Sequence, residues 1–374
     1  MIKVLNIISD TNIGGAGRVL ENYLRYMDRD NFEAAVALPR GSLLIERLKP
    51  FGVPIYELDG IADTSMDLSA VKKLKKLIRE VNPDIVHTHG AMSGRIAGRQ
   101  CGKKVVFTRH SAFPLPEKLN KQPLKGIYKL VNEHYADRII CVSPICRDYL
   151  MEGGVSCDNI DVVINGVDAA TRSGEADCVA LRRNFGIEDG VFTAAVIARI
   201  EHYKGHMYVA EAAKILKDRG RNFRIIAAGT GSYEDEVKSR ARDLGVEDVL
   251  LFPGFVSDVP GLLSILDVQI NASYNEAASL SILEGLSMGV PAIVSDFPGN
   301  LSIVDDGKTG LVFKTRDPVG LADAIERLMD DRNLLAKLGE NARTEYEKRF
   351  TGAIFAKNTE KVYLKVTEGG HHGK

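Results

Sequence analysis

Short apolar, β-branched runs alternate with helix-period stretches from one end of the chain to the other. KVLNIIS, AAVAL, DIVHTH, KVVFTR and RIICVS are interleaved with RVLENYLRYM, LSAVKKLKKLIREV and LKGIYKLVNEHYA. A strand that is apolar on both faces has to be covered on both faces. A parallel sheet sandwiched by helices does this. The alternation therefore points to an α/β chain with doubly wound, Rossmann-like sheets.

The alternation pauses at VINGVDAATRSGEAD, residues 163 to 177, where Gly, Asp, Thr and Ser cluster without period. That composition reads as a linker. Strand-like TAAVIAR, FRIIAAG, VLLFPG, VQINAS and PAIVSD follow, interleaved with MYVAEAAKILKDR and YEDEVKSRARDLG. The chain closes with helical stretches from Pro318 to about Val366. Its 374 residues are enough for two cores. We expect one Rossmann-like domain over 1–166 and a second over 167–350. A C-terminal helix over 351–374 should pack back towards the first domain and end in a frayed tail. Ligands of such sheets sit at the carboxyl ends of the strands, here expected in a cleft between the domains.

Net charge is −1, so no basic field exists to attract nucleic acid, and no nucleic-acid partner is expected. The five cysteines form no C-x-x-C pair, which suits a reduced, cytoplasmic protein without a disulfide framework. MIKVLNIISD is apolar only briefly before Asp10 and then Asn12 end the run, and it reads as a buried strand rather than a leader. No apolar run is long enough to span a bilayer. In VKKLKKLIR, Lys72, Lys73, Lys75, Lys76 and Arg79 share a helix. A solvated face is the expected role, with peripheral docking on an anionic membrane as the alternative. His371 and His372 belong to the tail and are given no role.

Several stretches carry chemistry. SDTNIGGAGR follows the first strand, and Gly14, Gly15 and Gly17 allow a tight turn and close approach to a ligand. It does not match G-x-G-x-x-G, and ALPRGS after the second strand offers Arg40 where a nicotinamide site wants an acid. ARIEHYKG places Arg199 and Lys204 on a strand-to-helix loop, two cations suited to a diphosphate. In NEAASLSILEG, Glu276 and Glu284 stand eight apart. A helix should begin at Ser279, a good N-cap, leaving Glu276 in the preceding loop. Eight helical residues rise about 12 Å. That exceeds the roughly 5–9.5 Å of glycosidase carboxylate pairs. An anion at the helix N-terminus, near Leu280 and Ser281, fits better. His110 follows the strand VVFTR. His87 and His89 bracket Thr88, and we expect only one of them to face the cleft, both with structural roles.

Taken in order, the Gly14-Gly15 loop, VINGVD, Arg199 with Lys204-Gly205, Glu276-x7-Glu284 and DDGKTGLVF resemble glycosyltransferase family 4. These are retaining, nucleotide-sugar-dependent enzymes of the GT-B fold, and the resemblance spans about residues 2 to 350. It implies that the first domain is the acceptor side and the second the nucleotide-sugar donor side. It implies that Glu276 holds a donor-sugar hydroxyl and Glu284 the ribose. Arg199 and Lys204 would bind the diphosphate, helped by the amides of Leu280 and Ser281, with Ala278 and Ser279 in the same loop. Gly14 and Gly15 would let the first loop approach the phosphate. Phe255 and Val256 would line the base pocket, and Gly229 and Gly231 would border the nucleotide side of the cleft. His110 would touch the reacting sugar.

The chain departs from the family's common form at Gly17, where an acid is frequent, and at Ala277-Ala278-Ser279, where glycine and a large apolar residue are common. The second departure bears on which sugar is held. The expected activity is transfer of a hexose or N-acetylhexosamine from a nucleotide diphosphate sugar, with UDP favoured. The acceptor would be a sugar, a lipid-linked sugar or another small molecule, in cell-envelope or polysaccharide synthesis. No cofactor or metal is expected: Asp305 and Asp306 sit in a turn, and no D-x-D ends a strand of the second domain. Competing readings are a GT-B nucleotide-sugar epimerase, a two-lobed solute-binding protein and a nicotinamide dehydrogenase.

Overall fold

A computed structural model describes residues 1–62 and 66–368; His371 and His372 lie outside the described residues. The chain divides into two compact units. One is Met1–Val167 with the segment from Gly352 onward, and the other is Asp168–Thr351.

The described residues of the first unit form a seven-stranded sheet. Its strands are β1 (Ile2–Ile8), β2 (Phe32–Pro39), β3 (Ile55–Leu58), β4 (Ile85–His89), β5 (Lys104–Arg109), β6 (Arg138–Cys141) and β7 (Ile160–Val162). Their spatial order is β3-β2-β1-β4-β5-β6-β7. The second unit holds β8 (Phe192–Ile197), β9 (Phe223–Ala228), β10 (Leu250–Gly254), β11 (Val268–Asn271), β12 (Ala292–Ser295) and β13 (Gly310–Phe313). Their order is β10-β9-β8-β11-β12-β13. Neighbouring strands pair in parallel throughout both sheets. Each sheet reverses its winding once, between β1 and β4 in the first and between β8 and β11 in the second. Outside the carboxyl ends of those strand pairs the flanking loops diverge and leave a crevice.

Burial follows the sequence pattern. Val4, Leu5, Ile8, Val36, Leu38 and Val86 are fully enclosed, as double coverage of a parallel sheet requires. The Leu68–Val81 helix starts at Asp67, whose carboxylate accepts the N–H groups of Ser69 and Ala70. It buries Ala70, Val71, Leu74, Leu77, Ile78 and Val81. Its apolar stripe is thus consumed by the core, and its lysines are left as a polar outer face. The helix Glu175–Asn184 begins inside the stretch read as a linker. It buries none of its residues, so no periodic apolar signal marks it. Three short strands, β3, β7 and β13, also escaped the sequence reading. IYEL is only partly buried, and IDV is three residues long.

The last described helix, Gly352–Glu368, belongs to the first unit. Its Tyr363 is fully buried, with ring centroids 5.8 Å from Tyr23 and 5.9 Å from Phe32. Glu360 accepts the Asp28 N–H at 2.8 Å. The Tyr363 hydroxyl meets His87 Nδ1 at 2.7 Å, and His87 Nε2 meets Thr108 Oγ1 at 2.7 Å. The expectation that only one of His87 and His89 faces a given side is corrected here. Side chains two apart on a strand project to the same face, and these rings lie 4.4 Å apart. Burial, with the neighbouring His110 second, pushes His87 down to about 3.

Two outcomes follow for stability. Tyr363→Phe leaves His87 Nδ1 without its partner and should cost about 1–3 kcal/mol. Tyr363→Ala also opens a cavity and should cost about 3–5 kcal/mol. Urea unfolding measures both. His87 binds a proton in the unfolded chain below about pH 6.5 but not in the folded chain until about 3. Stability should therefore fall as pH drops through that window, by about 2 kcal/mol between pH 7.5 and 5 from this group alone. The pH slope should flatten in His87→Gln, as urea midpoints at the two pH values would read.

Candidate active site

The loops after β8 and β11 flank the switch point of the second sheet, and the backbone holds them together. Gly205 sits at φ +76°, and a Cβ there would lie 2.1 Å from the Ala272 carbonyl oxygen. Only glycine permits this approach. The Tyr274 N–H donates to the Tyr203 carbonyl at 3.0 Å. Gly229, at φ +151°, and Gly231 pack as closely against the carbonyls of Ala198 and Ile200. These two glycines therefore serve close contact between the loops after β9 and β8.

Two sequence-derived residues meet in this frame. Lys204 Nζ donates to Glu276 Oε2 at 2.7 Å, and both side chains are mostly buried, 14% and 12% exposed. Arg199 stays exposed, and its guanidinium donates to the Tyr203 hydroxyl at 3.3 Å. Burial, then the Lys204 charge, pushes His206 down to about 4, so a neutral imidazole sits beside that ammonium.

Glu276 lies in a loop, as expected, and four residues that the sequence reading passed over, Asn271, Ser295, Gly299 and Asn300, brace it or its loop. Asn271, at the end of β11, accepts the Ser273 N–H on Oδ1 at 3.0 Å. That bond turns its amide nitrogen towards Glu276 Oε2, 3.4 Å away. A Cβ on Gly299 would come within 1.8 Å of the Glu276 carbonyl oxygen, so the Pro298–Leu301 turn lies directly against the loop. Asn300 donates to Ser295 Oγ at 2.9 Å, and Ser295 Oγ donates to the Ser273 carbonyl. The signal was present in part: Gln269 and Asn271 are amides in a strand where double burial calls for apolar residues.

The helix Leu280–Ser287 begins where the sequence indicated, with Ser279 Oγ accepting the Ile282 N–H at 3.5 Å. Ala278 and Leu280 are buried, and Ser281 Oγ lies 3.1 Å from Ser279 Oγ. Glu284 sits one turn into this helix. Gly285 after it leaves room for the buried Gln269 amide, which donates to the carbonyls of Ile282 and Val290. Phe255 is 78% exposed just after β10, and Val256 packs on the unit's core. Asp305 and Asp306 are held in their turn: Asp306 accepts the Val312 N–H at 2.9 Å and Asp305 pairs with Lys308 at 3.3 Å. Among the described residues no cluster of three His, Cys, Asp or Glu is placed to hold a metal.

In the first unit, Gly14 and Gly15 open the Gly15–Tyr26 helix without a side-chain cap, and a Cβ on Gly15 would meet nothing within 4 Å. His110 follows β5, and its Nε2 is hydrogen-bonded to His89 Nδ1 at 3.0 Å. Burial pushes His110 down to about 4, so it is neutral near pH 7.

The family profile of Glycosyl transferases group 1 matches residues 180–345, and that of Glycosyltransferase Family 4 matches residues 13–171. The provisionally assigned glycosyltransferase EpsD of Bacillus subtilis is 28% identical over 337 residues, covering 86% of each chain. The UDP-Gal:alpha-D-GlcNAc-diphosphoundecaprenol alpha-1,3-galactosyltransferase of Escherichia coli is 28% identical, covering 72% of this chain and 73% of that one. HepE of Anabaena, solved with UDP and glucose, superposes with a TM-score of 0.84 at 20% identity. The match covers 98% of this chain and all of that one. With its two parallel α/β sheets and both profiles in place, the chain belongs to the group 1, family 4 glycosyltransferases and has the GT-B fold.

Proposed function

We propose that the chain transfers a hexose or N-acetylhexosamine from a nucleoside diphosphate sugar, UDP-linked by preference, to an acceptor hydroxyl with retention of configuration. The observation that carries this reading is the Lys204–Glu276 pair at the switch point of the second sheet. It joins a cation suited to phosphate and a carboxylate suited to sugar hydroxyls beside the N-terminus of the Leu280–Ser287 helix. The UDP and glucose of HepE and the UDP-galactose of the Escherichia coli relative support the donor class.

In this reading Arg199, Lys204 and the amides of Leu280 and Ser281 hold the diphosphate. Glu276 holds a sugar hydroxyl, with Ala278 and Ser279 beside it. Glu284 holds the ribose, and Phe255 and Val256 border the base, with Gly229 and Gly231 behind them. In the first unit, His110 is the candidate contact to a sugar, as a neutral ring braced by His89. Gly14 and Gly15 offer an open, uncapped helix start to phosphate. The bond from the anomeric carbon to the diphosphate breaks while the acceptor oxygen bonds the same face. The leaving phosphate oxygen takes the acceptor's proton. Charge developing on that phosphate is met by Arg199, Lys204 and the helix dipole, so we propose that no divalent metal is needed.

The reading is tested by screening nucleoside diphosphate sugars and following the product's anomeric configuration by NMR. Retention, with activity surviving exhaustive EDTA treatment, is the expected result. An inverted product, or activity lost to EDTA and restored by magnesium, overturns the corresponding part. Free sugar formed without any acceptor favours the epimerase alternative.

Substitutions probe the site itself. Glu276→Gln should lower turnover by about two to three orders of magnitude while nucleotide still binds, since a contact strengthened in the transition state is worth about 3–4 kcal/mol. Asn271→Leu keeps the bulk but frees the carboxylate to reorient. It should lower kcat about tenfold with KM for the donor nearly unchanged. Equal losses in the two variants would show that Asn271 does more than hold Glu276.

A further inference from the structure

Asn6, His89 and His110 of the first unit form a hydrogen-bonded chain with a fixed direction. Asn6 is fully buried inside β1, an amide between the apolar Leu5 and Ile7. Its Nδ2 donates to the Ala35 carbonyl at 3.5 Å, and its Oδ1 lies 3.4 Å from His89 Nε2. His89 ends β4. Its Nδ1 lies 3.0 Å from His110 Nε2, and the two rings stack with centroids 5.3 Å apart. Among the described residues Asn6 Oδ1 has no other donor, and His110 Nδ1 has no hydrogen-bond partner. His87 stands outside this chain, its ring nitrogens taken by Tyr363 and Thr108.

The far end of the chain decides where each proton sits. The Ala35 carbonyl can only accept, so the Asn6 amide nitrogen points to it and the amide oxygen is left for His89. Turning the amide over would set two acceptor oxygens against each other. A buried carbonyl oxygen needs a donor, and His89 Nε2 is the one within reach, so the His89 proton sits on Nε2. Burial, then the neighbouring His87 and His110, pushes His89 well below its ordinary value, so the ring is neutral and carries only that proton. Its Nδ1 is then a lone pair, which can only accept. His110 therefore donates from Nε2, and its own Nδ1 is left as a lone pair.

We propose that Asn6 and His89 are positioning residues that hold His110 as its Nε2–H tautomer and so offer the Nδ1 lone pair to a sugar hydroxyl. This rests on the reading of His110 as a sugar contact, and narrows it. A hydroxyl brings a proton to that lone pair. A carboxylate, carbonyl or phosphate oxygen brings none and is repelled. The ring thus recognises a hydroxyl-bearing sugar atom, and on that side it has no proton to give a leaving phosphate.

The test is NMR of the imidazole nitrogens in the full chain, at about pH 7.5, where both rings are neutral. The His110 signals are those lost in His110→Gln. In the free wild type the Nε2–H form of His110 should dominate by at least about tenfold. Asn6→Val keeps the His89–His110 contact but removes the acceptor that fixes its direction, so that ratio should fall at least about threefold. Thr108→Val removes a buried partner of His87 instead and should leave the ratio as in the wild type, which separates positioning from lost packing. UDP-glucose should shift the His110 Nδ1 resonance, and UDP, which lacks the transferred sugar, should not. Positioning by Asn6 and His89 is overturned if the free wild type carries the His110 proton on Nδ1, a reading that stands even where Asn6→Val does not fold. It is overturned as well if Asn6→Val leaves the ratio unchanged, or if Thr108→Val lowers it as much. These readings need no sugar. With the tautomer as expected, UDP-glucose that raises the melting point but leaves the Nδ1 resonance in place overturns the hydroxyl contact. A melting point that neither UDP nor UDP-glucose moves overturns the UDP-sugar reading instead, and the tautomer still decides the positioning.

Discussion

The second unit's site depends on one contact between backbones, Gly205 against the Ala272 carbonyl. Any Cβ at residue 205 would force the loops after β8 and β11 apart. Lys204 would then no longer reach Glu276. The ion pair is therefore a product of sheet topology as much as of side-chain chemistry. The winding reverses between β8 and β11, and a glycine lets the two loops pack together before they diverge. Gly299 repeats the device on the other side of Glu276. A carboxylate held this way has lost most of its conformational freedom before any ligand arrives, so a substrate need not supply that ordering.

A buried ion pair is a weak source of stability, because desolvating two charges offsets most of their attraction. Lys204 and Glu276 are better understood as charges stored for exchange. In the proposed reading a diphosphate would draw Lys204 from Glu276 and leave the carboxylate to accept a sugar hydroxyl. Asn271 and the neutral His206 add no charge of their own beside the pair.

Much of this was legible in the sequence. Continuous Val/Ile runs specified parallel sheets, Ser279 marked a helix start, and several glycines flagged close approach. At Gly229 and Gly231 the approaching group is protein backbone, which sequence alone cannot distinguish from a phosphate. The direct Lys204–Glu276 contact was also beyond reach, since the two are 72 residues apart and only the strand order β8-β11 brings them together. Asn271 was legible as an anomaly, an amide in an apolar strand, but its target was not. The His87/His89 expectation failed on a point of strand geometry, because residues two apart share a face.

The return of the Gly352–Glu368 helix to the first unit has a consequence for how the chain is made. The pocket that Tyr363 fills, among Tyr23, Phe32 and His87, is assembled from residues at opposite ends of the sequence. A ribosome delivers the whole of the second unit before it delivers that tyrosine. The second unit, continuous in sequence, can close its core during synthesis. The first unit must wait for the Gly352–Glu368 helix before Tyr363 can cover His87.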